Sequence, residues 1–70
     1  MDRELLKLQI DEIYEQIPGR PAIISLRKAA EVTGIDQRTL LKDGTFPLRK
    51  NGRLWMVVVV ELAKWILGYR

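Results

Sequence analysis

Ser25-Leu26-Arg27-Lys28-Ala29-Ala30-Glu31-Val32-Thr33-Gly34-Ile35-Asp36-Gln37-Arg38-Thr39-Leu40-Leu41-Lys42 reads as two short helices joined by a tight turn. Ser25 is a good N-cap for a helix from Leu26 to about Val32. Ile24 and Ala29 stand where a hydrophobic staple would put them, while Lys28 at the third helical position excludes a capping box. Gly34 supplies the left-handed residue that ends this helix. Two residues later Asp36 can cap a second helix, Gln37 to about Lys42, which Asp43-Gly44 ends. Helices that cross steeply need a small residue at the contact, a glycine in the turn and an apolar anchor on the second helix. Ala29-Ala30, Gly34 and Leu40 meet those needs, which is the pattern of a helix-turn-helix, although helical hairpins of many kinds reuse it.

Beyond Gly44 the period changes from helical to alternating. Phe46-Pro47-Leu48-Arg49-Lys50, Asn51-Gly52 and Arg53-Leu54-Trp55-Met56-Val57 read as a β-hairpin, since Asn-Gly is the preferred pair for a two-residue type I′ turn. That turn predicts Lys50 opposite Arg53, Leu48 opposite Trp55 and Phe46 opposite Val57, with Phe46, Leu48, Trp55 and Val57 on one apolar face. Pro47 falls on the other face and indicates an edge strand. After the hairpin, Val58, Leu62, Trp65 and Ile66 recur at helical spacing, so a last helix is expected from Val58 or Val59 to Leu67, with Gly68 at its C-cap. The run Val57 to Val60 favours strand locally and offers no good N-cap, which leaves the start of that helix open.

Upstream, Leu6, Ile10, Ile13 and Ile17 are spaced four, three and four apart and form one stripe of a helix over Asp2 to Ile17. Asp2 is its N-cap and Pro18-Gly19 its stop. The stripe is too short for a self-sufficient coiled coil, so packing on the domain's own core is favoured over dimerisation, with both open. The chain divides into residues 1–19, an acidic amphipathic helix with its linker, and residues 20–70, which carry the helix-turn-helix, the hairpin and the last helix. The fold class expected is mainly α with a small β-hairpin: a winged helix-turn-helix preceded by an N-terminal helix.

Seventy residues, 47% hydrophobic and 30% charged, make one small domain, expected to bury only about 60% of its unfolded surface. No cysteine is present for a disulfide or thiolate metal site, and no histidine for general-base or metal chemistry. The acid pairs Asp11/Glu12 and Asp36/Asp43 lack metal spacing. The chain is therefore not expected to be an enzyme, and no metal or cofactor is expected. The longest charge-free run, Leu54 to Val60, is seven residues and far short of the roughly 20 a membrane span needs. Met1-Asp2-Arg3-Glu4 lacks a basic leader. A cytoplasmic location with no membrane partner is expected. The net charge of +3 is unevenly placed: residues 1–19 carry two basic side chains against five acidic, and residues 20–70 carry ten against four. Basic charge gathered in about fifty residues fits an anionic partner, of which nucleic acid is the commonest for a small domain, and fits ordinary solubilising charge equally well.

In a helix-turn-helix the second helix enters the major groove with its N-terminal residues toward the bases. Gln37, Arg38 and Thr39 occupy those positions, with Lys42 one turn further. Arginine bonds guanine O6 and N7 bidentately, glutamine does the same with adenine, and a threonine methyl can meet a thymine methyl. Any of them equally suits a solvated polar face. Lys50 opposite Arg53 would place like charges face to face, a cost that an intervening anion would relieve. Arg49, Lys50, Asn51 and Arg53 thus form a basic tip suited to phosphates or a minor groove, as a wing is. Ser25, Arg27 and Lys28 are candidates for backbone contact. Trp55 and Trp65 fall on expected core faces and read as packing rather than base-stacking residues.

Several stretches together resemble the excisionase-like (MerR-type) winged helix-turn-helix proteins of phages and integrative elements. They are Ile24 to Ile35, Arg38-Thr39-Leu40, Gly44-Thr45-Phe46-Pro47, the Gly52-Arg53 turn with Trp55, and Leu62-Ala63-Lys64-Trp65-Ile66. The resemblance spans roughly residues 23–67 and is more specific for fold than for excision. It implies a recognition helix in the major groove, a wing on the adjacent backbone or minor groove, and several copies that bend attachment-site DNA to help an integrase. It carries DNA contact onto Gln37, Arg38, Thr39, Lys42, Lys50, Asn51 and Arg53. The acidic N-terminal helix lies outside the shared module, and the four valines stand where relatives often have a proline or polar cap. Two other functions stay open: a small transcriptional repressor of a mobile element, and a protein-interaction adaptor working through the Leu6/Ile10/Ile13 face.

Overall fold

Val57 has no exposed surface at all: it lies on the central strand of the sheet, with its side chain in the core. In the computed structural model, which describes residues 2–68, β3 (Leu54–Val58) runs between β1 (Ile23–Ser25) and β2 (Arg49–Asn51). Both pairings are antiparallel and the sheet order is β1-β3-β2. The hairpin expected from sequence is therefore two strands of a three-stranded sheet. Ala22-Ile23-Ile24, which reads locally as a short extended piece, becomes strand β1 over Ile23–Ser25 by pairing with its distant partner.

The hairpin register also differs from expectation. Asn51 pairs with Leu54, Lys50 with Trp55 and Arg49 with Met56. The two-residue loop is thus Gly52-Arg53, not Asn51-Gly52, and the pairs Lys50/Arg53, Leu48/Trp55 and Phe46/Val57 do not form. Gly52 has φ +64°, and Arg53 is not among the residues with positive φ. That sign pattern belongs to a type II′ turn, which wants glycine at its first central position. Pro47 lies before β2, in a γ-turn closed by the Leu48 amide donating to the Phe46 carbonyl at 2.9 Å. Phe46 is accordingly outside the sheet, buried edge-on against Trp65 with ring centroids 5.0 Å apart.

The helices start where their caps dictate. In α1 (Arg3–Gln16) the Asp2 carboxylate accepts from the Glu4 amide at 2.8 Å. Ser25 Oγ accepts from the Lys28 amide at 3.0 Å to open α2 (Leu26–Thr33), and Gly34, at φ +73°, closes it. Asp36 accepts from the Arg38 amide at 3.1 Å to open α3 (Gln37–Lys42). The last helix, α4 (Val59–Ile66), has no side-chain cap. Its first amide, on Val59, instead donates to the Ala22 carbonyl at 2.9 Å, just ahead of β1. The strand-to-helix change inside the four valines is thus set by a tertiary hydrogen bond, and by Val59, Leu62, Ala63 and Trp65 all being buried on one side of α4.

A single core joins both halves of the chain. Ile13 and Ile17 from the N-terminal segment are buried together with Ile24, Leu26, Ala29, Leu40, Val57 and the inner face of α4. Leu6, Ile10 and Tyr14 pack against that cluster. Ala29 and Leu40 are the fully buried pair on α2 and α3 that the turn pattern requires. The linker is held as well: Tyr14 donates its hydroxyl to the Pro21 carbonyl at 2.7 Å. The Arg20 guanidinium lies 4.5 Å from the Tyr14 ring and pairs with Asp11 at 3.1 Å. Arg20 is the one described non-glycine residue with positive φ, +47°. Among the described residues no helix is long and apolar enough to cross a membrane.

Candidate nucleic-acid interface

With Leu40 anchored inward at 1% exposure, α3 must turn its remaining side chains outward. Gln37, Arg38, Thr39 and Lys42 are all exposed. Gln37 and Arg27 line one open groove of about 470 Å³ at the α2–α3 junction, together with Glu31 and Asp36. Ser25 is exposed but its oxygen is engaged as the α2 cap. Lys28 is half-buried and sits 3.7 Å from Glu31.

The hairpin separates the four candidates on it. Lys50, Asn51 and Arg53 are exposed, and the Lys50 ammonium lies 5.2 Å from the centroid of the Trp55 ring, a cation–π distance. Arg49 differs. Its guanidinium donates through Nε and Nη2 to the two carboxylate oxygens of Glu61, at 3.1 and 2.8 Å. That fork ties β2 to the first turn of α4, so Arg49 serves as a clamp rather than as a free cation. The bond raises the Arg49 pKa above its ordinary value, mainly through the hydrogen bond to Glu61, and for the same reason holds the Glu61 carboxyl below its own.

A group whose pKa is depressed on folding contributes stability above its unfolded value, and loses it as pH falls through the folded one. The gap in thermal midpoint between wild type and Glu61→Gln is accordingly expected to be present at neutral pH and to close below the ordinary glutamate value of about 4.3. The gap should be small because the pair is exposed. An undiminished gap in strong acid would assign the effect to packing instead.

Among the described residues, Arg27, Arg38, Lys42, Lys50 and Arg53 have no ion-pair partner, whereas Arg20, Lys28 and Arg49 each have one. Arg70, counted in the basic stretch, lies outside the described residues. Trp65 is buried as expected and donates its indole N–H to Thr45 Oγ1 at 3.1 Å. Trp55 is not in the core: it is 37% exposed, and its neighbour Leu54 is 68% exposed. Sequence reasoning missed the exposure of Trp55 because it placed the turn one residue early and so set Leu48 rather than Lys50 opposite it, although Gly52 followed by Arg53 carried the competing type II′ signal. Compared with protein-family models, with curated proteins and with solved structures, the chain gave no match.

Proposed function

We propose that the chain is a sequence-specific binder of double-stranded DNA, built as a winged helix-turn-helix with α3 as recognition helix and the β2–β3 hairpin as wing. The observation that carries the reading is the exposed row Gln37, Arg38, Thr39 and Lys42 on a helix anchored by Leu40, in a molecule whose hairpin adds the unpaired cations Lys50 and Arg53. Side chains that donate to purine edges on a short exposed helix, with point charges for phosphate elsewhere, divide the work as DNA readers do. The role that fits best is that of an excisionase or recombination directionality factor, with copies side by side on attachment-site DNA assisting an integrase. A molecule with a Cα radius of gyration of 11.5 Å engages one major groove and its flanks, so neighbours are needed for a tight site. The face named for the adaptor alternative is turned toward the core, with Ile13 buried and Leu6 and Ile10 half-buried against it, which favours the DNA-binding reading.

Two substitutions test this reading. Arg38→Ala is expected to cost about 1–3 kcal/mol on the preferred site and to blur base preference at one position. Lys50→Ala is expected to weaken all sequences alike and to lower the salt slope by about one unit. Gel-shift selection from a randomised duplex pool measures both. Unchanged binding in both variants would remove α3 and the wing from the interface.

A further inference from the structure

α1 carries two stripes, and the fold uses one of them. Leu6, Ile10 and Ile13 face the core. Leu5, Leu8, Glu12 and Gln16 repeat at spacings of three, four and four, which puts them on a second stripe turned roughly 120° from the first. Leu5 and Leu8 are 53% and 59% exposed and belong neither to the core cluster nor to the residues packed on it. Beside this stripe lies a groove of about 430 Å³. Gln9, Glu12 and Gln16 line it from α1, while Val32, Ile35 and Ile66 give it an apolar lining from α2, the turn after it and α4. Stripe and groove share Glu12 and Gln16, so they form one surface. From Leu5 to Gln16 it is about 16 Å long, three turns of helix.

Charge decides what this surface fits. Glu4, Glu12 and Glu15 are exposed and have no ion-pair partner among the described residues. Asp11 is paired with Arg20, and Arg3 and Lys7 fall on the opposite flank of the helix. Unneutralised carboxylates repel phosphate, so the surface is no further contact for DNA. A second copy docked through the same face would set Glu12 and Glu15 against their own counterparts. Three turns of length exceed a small molecule and suit a helix laid in a groove, whose anchors recur at i, i+3, i+4 and i+7.

We infer that the Leu5/Leu8 face of α1 and the groove beside it dock a basic amphipathic helix of a different protein. The apolar stripe of that helix covers Leu5, Leu8 and the Val32/Ile35/Ile66 lining, and its lysines or arginines meet Glu4, Glu12 and Glu15. The inference is independent of the DNA-binding reading, and its anchor, α1, lies outside the stretch that the family resemblance covers.

The test uses the full chain and two dye-labelled peptides of about 15 residues with leucines at helical spacing, one filled out with lysine and the other with glutamate. The chain carries a net charge of +3, so attraction by net charge alone would favour the glutamate peptide. Fluorescence anisotropy is expected instead to show the lysine peptide binding about tenfold more tightly. Leu5→Ser/Leu8→Ser should weaken that binding by about tenfold or more. Its circular dichroism should match wild type, because both leucines are largely exposed. Glu12→Gln/Glu15→Gln should weaken the binding about fivefold and remove most of its salt dependence. No binding of the lysine peptide, tighter binding of the glutamate peptide, or lysine-peptide binding unchanged by Leu5→Ser/Leu8→Ser would overturn the inference. So would a wild-type dimer in sedimentation that Leu5→Ser/Leu8→Ser splits, since a second copy would then cover the face.

Discussion

Affinity for duplex DNA is expected to fall by about 500-fold between roughly 50 and 200 mM monovalent salt. The figure follows from the unpaired cations Arg27, Arg38, Lys42, Lys50 and Arg53. If together they displace counterions from about five phosphates, the logarithm of the binding constant falls with a slope near −4.5 against the logarithm of salt concentration. Arg49 adds little, since Glu61 already neutralises it. Fluorescence anisotropy with a labelled duplex over a salt series measures the slope, and Arg49→Gln should leave it nearly unchanged. A flat titration would mean that the basic surface does not meet phosphate. A slope reduced by a full unit in Arg49→Gln would mean that the clamp opens on DNA.

Ile13→Ala is expected to destabilise the fold by about 2–5 kcal/mol, the usual range for emptying a buried aliphatic site. The side chain is 1% exposed, in the core that α1 shares with α4. A domain of seventy residues has only about 4–10 kcal/mol in total, so one substitution removes a large share, and removal of residues 1–17 should leave a chain that does not fold. Urea unfolding followed by circular dichroism checks both. If Ile13→Ala melts like wild type, or the truncated chain keeps a cooperative transition, α1 is an appendage and becomes available for contacts between neighbours on DNA. Loss of folding would mean that α1 is part of the core and has only its exposed side, where Glu4, Glu12 and Glu15 are accessible, left for contacts with neighbours.

Much of the candidate site was legible because short-range chemistry decides it. Ser25, Gly34 and Asp36 each act within four residues along the chain, so the two motif helices and their turn follow from local caps and one left-handed glycine. The helical spacing that buries Leu40 also turns Gln37, Arg38, Thr39 and Lys42 outward. The hairpin was less legible, because Asn51-Gly52 and Gly52-Arg53 both satisfy a two-residue turn, and choosing between them moves every cross-strand partner. The choice decides whether Trp55 faces Leu48 in a core or Lys50 in solvent.

The amino-acid sequence by itself determined the four helices, the acidic and basic halves, and the exposed row on α3, since each depends on residues a few positions apart. Tertiary structure alone decided three things. Ile23–Ser25 became a strand by pairing with β3, more than thirty residues on in sequence. Val59 became a helix start because its amide found the Ala22 carbonyl. Arg49 left the set of free cations because the fold brought Glu61 of α4 beside it. In each case a group gains a partner far away along the chain, and that gain outweighs a local preference which is worth only tenths of a kcal/mol up to about 1 kcal/mol.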